Sequence, residues 1–98
     1  MPSASPVVWQ LSPGSSLIWK AWDDEYVVFN AGSGNAHLLD ALTGEALKVL
    51  ERTGTDAAQL TRMLAADLGV EPSEELDRRI DGIIGQLYLA GLIERVTP

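Results

Sequence analysis

A chain of 98 residues with 46% hydrophobic and 21% charged residues has the composition of one ordinary globular domain. It contains no cysteine, which excludes a disulfide framework, a thiolate metal site and a thiol nucleophile. The formal net charge of −7 disfavours binding to nucleic acid or to an anionic membrane surface, because both attract clusters of lysine and arginine.

The first six residues are rich in proline and serine, which predicts a flexible tail ahead of a single domain at residues 7–98. This N-terminus lacks the basic start of a signal peptide. No apolar run approaches the roughly 20 residues that a membrane-spanning helix needs. The sequence therefore predicts a cytoplasmic protein.

Short apolar runs in the first half of the chain predict strands. Residues 7–11 form a brief extended segment, and residues 17–22 alternate with the period of a strand. Residues 25–30 and 36–39 are separated by a turn rich in glycine and asparagine, which is the pattern of a β-hairpin. Together the last three runs predict a three-stranded antiparallel sheet whose central strand is the one at residues 25–30.

Large side chains in these strands are predicted to stabilise the sheet. The alternation places Ile18 and Trp22 on the same face of their strand. Trp22, Val28 and Phe29 are expected to bring apolar area into the core of a small domain. Phe29→Ala is therefore expected to destabilise the domain strongly, because aromatic truncation in a core costs about 3–5 kcal/mol.

Two helical patterns follow the sheet. The first begins after Asp40, a good N-cap residue, and is predicted to end at Gly54. The second is predicted to use Thr55 as its cap and to end at Gly69. The apolar positions that recur at helical spacing in the two segments are Leu42, Ala46, Val49, Leu50, Leu60, Met63, Leu64 and Leu68.

The third helical pattern opens with a serine cap and two acids at residues 72–75 and ends at Gly91, before a brief closing strand at residues 92–96. Its core stripe consists of Leu76, Ile80, Ile83, Ile84 and Leu87. Gly82 and Gly85 are unexpected inside a helix, because each costs about 1 kcal/mol relative to alanine. Helix geometry places them opposite the stripe. Two interpretations are open: the glycines are tolerated on an exposed surface, or they form a shallow floor where a second backbone approaches closely.

The sequence offers few groups for chemistry. Asp23, Asp24 and Glu25 form an acidic cluster with no further ligand type nearby, which favours a solvated turn over a cation site. His37 is the single histidine, and Ser33, although near in sequence, would lie at the hairpin tip far from an orienting carboxylate. This favours a structural or peptide-contacting role for His37. The glycines around Ser33 favour a hairpin turn over a phosphate loop, since no helix start follows them. We expect no catalytic residue, no metal and no cofactor.

Two segments carry a family resemblance. The run Trp-Asp-Asp-Glu-Tyr-Val-Val at residues 22–28 leads through the glycine turn to His-Leu-Leu-Asp at residues 37–40, and the chain ends in Leu-Tyr-Leu-Ala-Gly-Leu-Ile at residues 87–93. These segments resemble the PqqD-like proteins, and within them the peptide chaperones of the HPr-rel-A system. The resemblance covers residues 8–96. It implies an α+β fold similar to a winged helix-turn-helix, with a three-stranded antiparallel sheet followed by three helices.

The resemblance also implies a function. The domain is expected to be a non-catalytic chaperone that binds the leader of a ribosomally made precursor peptide and presents it to a modifying enzyme. The peptide is expected to lie as an added strand between the third strand and the third helix. The residues implied to bind it are Ala36, His37, Leu38 and Leu39 on the strand and Arg78, Gly82, Gly85 and Leu89 on the helix.

Two alternatives stay open on the sequence alone. A winged-helix DNA-binding regulator has a similar fold, although the second helix offers only Arg62 as a cation and the third only Arg78 and Arg79 amid acids. The free edge of the third strand is also a pairing site for a second copy of the chain, which keeps a homodimer among the alternatives.

Overall fold

The chain folds into six strands and three helices over residues 7–96, which are the residues described by this computed structural model. The predicted tail at residues 1–6 lies outside them. Within the described range no helix is long and apolar enough to cross a membrane. The elements in chain order are β1 (Val8–Leu11), β2 (Leu17–Trp22), β3 (Glu25–Asn30), β4 (Asn35–Asp40), α1 (Ala41–Arg52), β5 (Thr55–Asp56), α2 (Ala57–Leu68), α3 (Glu74–Leu89) and β6 (Ile93–Val96).

The predicted meander is confirmed. Strands β2, β3 and β4 form an antiparallel sheet in that order, with β3 in the centre. In the register, Val28 of β3 lies between Trp19 of β2 and His37 of β4. The α+β fold with this sheet and three helices is therefore the one that the sequence predicts.

A second small sheet was not predicted. Strand β1 pairs on one side with β5 and on the other with β6, and both pairings are antiparallel. Val8 lies opposite Val96, so the two ends of the described chain meet. The side chain of Gln10 donates a hydrogen bond of 3.0 Å to Glu94 across the same pair. The sequence predicts extended segments at β1 and β6 but contains no local signal for a pairing between segments so far apart.

Two of the three helix starts follow the prediction. Asp40 caps α1, where its Oδ1 accepts a hydrogen bond of 2.8 Å from the amide of Thr43. Ser73 caps α3, and its Oγ accepts a bond of 3.1 Å from the amide of Leu76. In both cases a side-chain oxygen satisfies an amide that the first helical turn leaves without a partner.

The predicted start of α2 is wrong by one residue. Asp56 is the N-cap, and its Oδ1 accepts a bond of 2.8 Å from the amide of Gln59. Thr55 instead lies in β5, where it pairs with Trp9 of β1. Because this pairing holds Thr55 in an extended strand, the next residue becomes the cap.

The helix ends agree with the sequence at Gly69 and Gly91, which have positive φ angles of 70° and 78°. Glycine adopts this left-handed conformation without the steric cost that other residues meet. Helix α1 ends at Arg52, and the extended backbone of Thr53, not Gly54, stops it. A side chain at Gly54 would contact the backbone oxygen of Trp9 at 3.3 Å, so this glycine permits a close approach of β1.

Helix α1 packs closely against one face of the meander, which we call the inner face. Gly44 is buried beneath Tyr26, and a Cβ atom at this position would overlap the tyrosine ring. The hydroxyl of Tyr26 donates a hydrogen bond to Glu45 of the same helix. Nζ of Lys48 lies 4.1 Å from the centre of the Tyr26 ring. This cluster fixes α1, and with it the end of β4, against the sheet.

The hydrophobic core joins this inner face to all three helices. Buried side chains from the strands, the helices and the start of β6 make up one cluster: Val28, Leu39, Ala46, Leu47, Val49, Leu50, Leu60, Leu64, Ile80, Ile83, Ile84, Leu87, Leu92 and Ile93. The predicted stripe of α3 is confirmed: its last four positions are buried, and Leu76 is partly buried against the core. In α2 the stripe is narrower than predicted, because Met63 and Leu68 are exposed.

The predicted burial of two aromatic residues is wrong. Val28 is fully buried, but Trp22 is 60% exposed and Phe29 is 41% exposed. Both lie on the face of the meander opposite α1, which we call the outer face. No element at residues 7–96 buries this face, so truncating Phe29 is expected to cost far less than a core aromatic would.

Candidate functional site

Strand β4 has a free edge. Among residues 7–96, the sheet order leaves one side of β4 without a neighbouring strand. The hydrogen-bonding phase of the sheet follows from one contact, in which the amide of Ala31 donates to the carbonyl of Ser16 at 2.8 Å. Bonded pairs alternate along an antiparallel ladder. Residues 25, 27 and 29 of β3 therefore bond to β2, whereas residues 26, 28 and 30 bond to β4.

The same alternation assigns each amide of β4. His37 lies opposite Val28, and Leu39 lies opposite Tyr26, so their backbone groups bond to β3. The N–H and C=O groups of Ala36 and Leu38 point instead to the open edge. This edge offers two donors and two acceptors to an added strand, which is the arrangement that β-augmentation requires.

The four predicted strand residues divide between the two faces of the sheet. Leu39 is 4% exposed and belongs to the core, and His37 is half-buried on the same inner face. Leu38 is 64% exposed on the outer face, which it shares with Ala36. The two pairs are therefore suited to different tasks: one anchors the strand, and the other meets whatever lies outside.

The predicted face of α3 is open. Arg78, Gly82, Gly85 and Leu89 are all exposed, and Leu89 reaches 86%. A Cβ atom added at Gly82 or at Gly85 would meet no heavy atom within 4 Å. The structure thus agrees that these glycines lie opposite the core stripe and are free of packing. Their contact with a peptide stays a prediction.

Arg79 of α3 lies near the end of β4, where it lines a cleft together with Ala41. The pKa of Asp40, at the end of β4, is lowered mainly by the backbone hydrogen bond from Thr43 and by the Thr43 side chain. Burial opposes this shift, and the charge of Arg79 adds to it. Because Ile83 and Gln86 follow Arg79 at steps of four and three residues, they share its side of the helix. Gly82 borders it, whereas Gly85 lies further round.

An apolar cleft lies where β4 ends. It has a volume of about 430 Å³ and lies among the start of α1, the end of α2 and the Arg79 side of α3. Leu42, Leu64 and Leu68 supply its apolar lining. Its charged lining consists of Arg79, Glu45 and Asp67. This cleft was not predicted from the sequence, because Leu68 was assigned to the core stripe of α2. The signal that could have revealed it is the position of Leu68 in the last turn before Gly69, where the helix leaves the core.

The residues considered for chemistry do not assemble into a site. Asp23 has a positive φ of 54° and lies in the exposed turn between β2 and β3, as the turn interpretation expects. At residues 7–96, no group of three or more histidine, aspartate or glutamate side chains is placed to hold a metal ion. Residues 31–34 form the turn of the β3–β4 hairpin, and the amides of Ser33 and Gly34 bond back to the carbonyl of Asn30.

The chain is similar to known proteins in sequence family and in fold. No curated protein matches the chain at a significant level. A solved structure described as "TbiB1 in Complex with the TbiA(beta) Leader Peptide" is similar with a TM-score of 0.66, and the match covers 91% of this chain and 99% of that one. At 19% sequence identity this likeness shows a shared fold. The sequence model of the family described as Coenzyme PQQ synthesis protein D (PqqD) matches residues 25–93, more than half of the chain. The chain therefore belongs to the PqqD family.

Proposed function

We propose that this protein binds the leader of a ribosomally made precursor peptide and presents it to a peptide-modifying enzyme, without performing catalysis itself. Membership of the PqqD family supports the peptide-binding part of this proposal, as does the fold shared with a structure that contains a leader peptide. The observation that carries it is the free edge of β4, where Ala36 and Leu38 direct their backbone groups outward.

The leader is proposed to add as a strand at the free edge of β4, between this strand and α3. Main-chain hydrogen bonds to Ala36 and Leu38 would supply affinity that does not depend on the peptide sequence. The apolar cleft beyond Asp40 adjoins the end of this strand and is suited to an apolar side chain. On α3, Gly82 and Gly85 leave space for a backbone, and Leu89 offers an apolar contact.

A titration with the precursor peptide encoded near this chain's gene tests the proposal. Gly82→Leu and Gly85→Leu are expected to lower the affinity at least about tenfold, because a leucine occupies the space needed by the added strand. Their melting temperatures are expected to stay equal or rise, since leucine is a better helix former than glycine. Leu89→Asp is expected to weaken binding by removing an apolar contact.

Ala66→Leu is the matched control. Ala66 is exposed on α2, so this change adds a leucine to a helix surface that takes no part in the proposed groove. Its affinity for the peptide is expected to match that of the unaltered protein. NMR shifts confined to the turn at residues 23–25 or to α2, with none on β4 or α3, would contradict the proposal.

A further inference from the structure

The outer face of the meander is an exposed apolar surface. In the register, Ile18 of β2 lies opposite Phe29 of β3, which lies opposite Ala36 of β4. Lys20, Val27 and Leu38 form the next row across the sheet. Contiguous exposed apolar residues of this kind typically mark an interaction surface. The large side chains that this face leaves at least 40% exposed are Ile18, Trp22, Phe29 and Leu38.

Folding does not account for these side chains. The core lies on the inner face, where Val28 and Leu39 are buried against the helices. The second sheet, formed by β1, β5 and β6, does not pair with β2, β3 or β4. At residues 7–96 nothing buries the outer face. Polar residues on the outer face would leave the described core unchanged. The apolar side chains at these positions therefore indicate a binding partner.

One end of the outer face is acidic. Glu25 lies opposite both Trp22 and Asp40, and Asp23 and Asp24 form the adjoining turn. Among the described residues of this face, Lys20 is the single cation, and its Nζ lies 5.7 Å from the centre of the Trp22 ring. A partner that covers the face must therefore supply lysine or arginine at one end and apolar side chains at the other.

A second copy of the chain does not meet this requirement. Two outer faces related by a twofold axis would bring the acidic ends together, or would bury each acidic end against the apolar row of Ile18 and Phe29. The first arrangement adds repulsion between carboxylates, and the second removes them from water without a counter-ion. The net charge of −7 opposes self-association in either arrangement.

The outer face also continues into the proposed peptide site. Leu38 and Ala36 point their side chains to this face and their backbone groups to the free edge of β4. A strand added at that edge presents every second side chain on the same face, because side chains alternate along a strand. A partner that covers the outer face therefore touches the bound peptide as well.

We propose that the outer face docks the peptide-modifying enzyme through an apolar surface of the enzyme rimmed by basic residues. The identity of the partner rests on the proposed function, whereas the surface rests on the exposed side chains and the acidic end. The enzyme then recognises a composite surface of protein and leader. Since coupling between two binding events is reciprocal, the leader strengthens enzyme binding and the enzyme strengthens leader binding.

The test is a titration of the purified modifying enzyme encoded beside this chain's gene, with and without the precursor peptide. Ile18→Thr and Phe29→Thr are expected to lower enzyme affinity by about tenfold or more, as truncation of central interface residues does. Both variants are expected to bind the leader normally, because neither residue lies on β4, whose backbone groups form the free edge. Enzyme binding is also expected to weaken as salt increases, through screening of the acidic end.

Val70→Thr is the matched control. Val70 is exposed after α2, away from the outer face, and the substitution removes a similar amount of exposed apolar surface. Unchanged enzyme affinity in both outer-face variants would overturn the inference, as would an enzyme that fails to bind the unaltered protein with leader present. A dimer that the same substitutions disrupt, seen by sedimentation, would assign the face to a second copy instead. Failure of the unaltered protein to bind the leader would count against the proposed function, not against the outer face as a docking surface.

Discussion

Leu38 and Leu39 are adjacent leucines on β4 with opposite surroundings. Leu39 lies on the inner face within the core, whereas Leu38 lies on the outer face in contact with solvent. The same contrast holds across the whole meander, because the inner face packs on the helices and nothing at residues 7–96 buries the outer face. In this small domain the inner face therefore supplies stability, and the outer face is left exposed for the recognition that we propose. Residue type alone does not reveal which leucine serves which purpose.

The largest expected effect comes from separating the two leucines. Leu39→Ala is expected to lower the free energy of unfolding by about 2–5 kcal/mol, because it leaves a cavity in the core. Leu38→Ala is expected to change it by no more than about 0.5 kcal/mol, since the side chain is largely in water already. Chemical denaturation of both variants measures the difference. Equal losses would contradict the assignment of the faces.

A second comparison concerns glycines in two helices. Gly44→Ala is expected to destabilise the protein by about 1–3 kcal/mol, because the new methyl group overlaps the Tyr26 ring. Gly85→Ala is expected to stabilise it by up to about 1 kcal/mol, since the site is open and alanine favours the helix. Thermal melting of the two variants is the measurement. A gain in stability for Gly44→Ala would mean that α1 does not pack on the inner face as described.

A smaller effect is expected at Asp40, the N-cap of α1 at the end of β4. Asp40→Ala is expected to cost about 1 kcal/mol at pH 7, because the amide of Thr43 loses its acceptor. Asp40→Asn keeps an acceptor and serves as the control. Denaturation curves of both variants at pH 7 test the role of the cap.

The unaltered protein and the Asp40→Asn variant together test the pH dependence of the cap. The folded-state pKa of Asp40 lies below its ordinary value of 3.8, so the carboxylate contributes its stability above that value. This contribution is lost as the pH falls through the lowered folded-state pKa. The stability of the unaltered protein relative to Asp40→Asn should therefore be constant above about pH 5 and decline below pH 4. A difference that grows on acidification would contradict the predicted sign.

Local patterns predicted most of the secondary structure. The period of two gave β2, two apolar runs around a turn rich in glycine and asparagine gave β3 and β4, and the helical stripe of α3 gave its buried side at Ile80, Ile83, Ile84 and Leu87. Alternation also showed that Ile18 and Trp22 share a face. Alternation did not reveal which face of the sheet the helices cover, and for this reason Trp22 and Phe29 were wrongly assigned to the core.

The remaining errors arise where distant segments meet. Pairing of β1 with β5 and β6 joins residues at both ends of the described chain, and this pairing moved the cap of α2 from Thr55 to Asp56. The cleft beside Arg79 forms among three helices, so no single segment of sequence reveals it. The open face of α3 was predictable because two interior glycines break the usual rule for a helix. The role of the β4 edge required the resemblance.

The central claim is that a leader peptide adds a strand to β4, and amide hydrogen exchange measured residue by residue tests it most directly. In the free protein the amides of His37 and Leu39 are expected to exchange slowly, because they bond to β3, while those of Ala36 and Leu38 exchange fast. Addition of the precursor peptide encoded nearby is expected to slow exchange at Ala36 and Leu38. Saturating peptide that leaves both of these amides as fast as in the free protein would contradict strand addition at this edge.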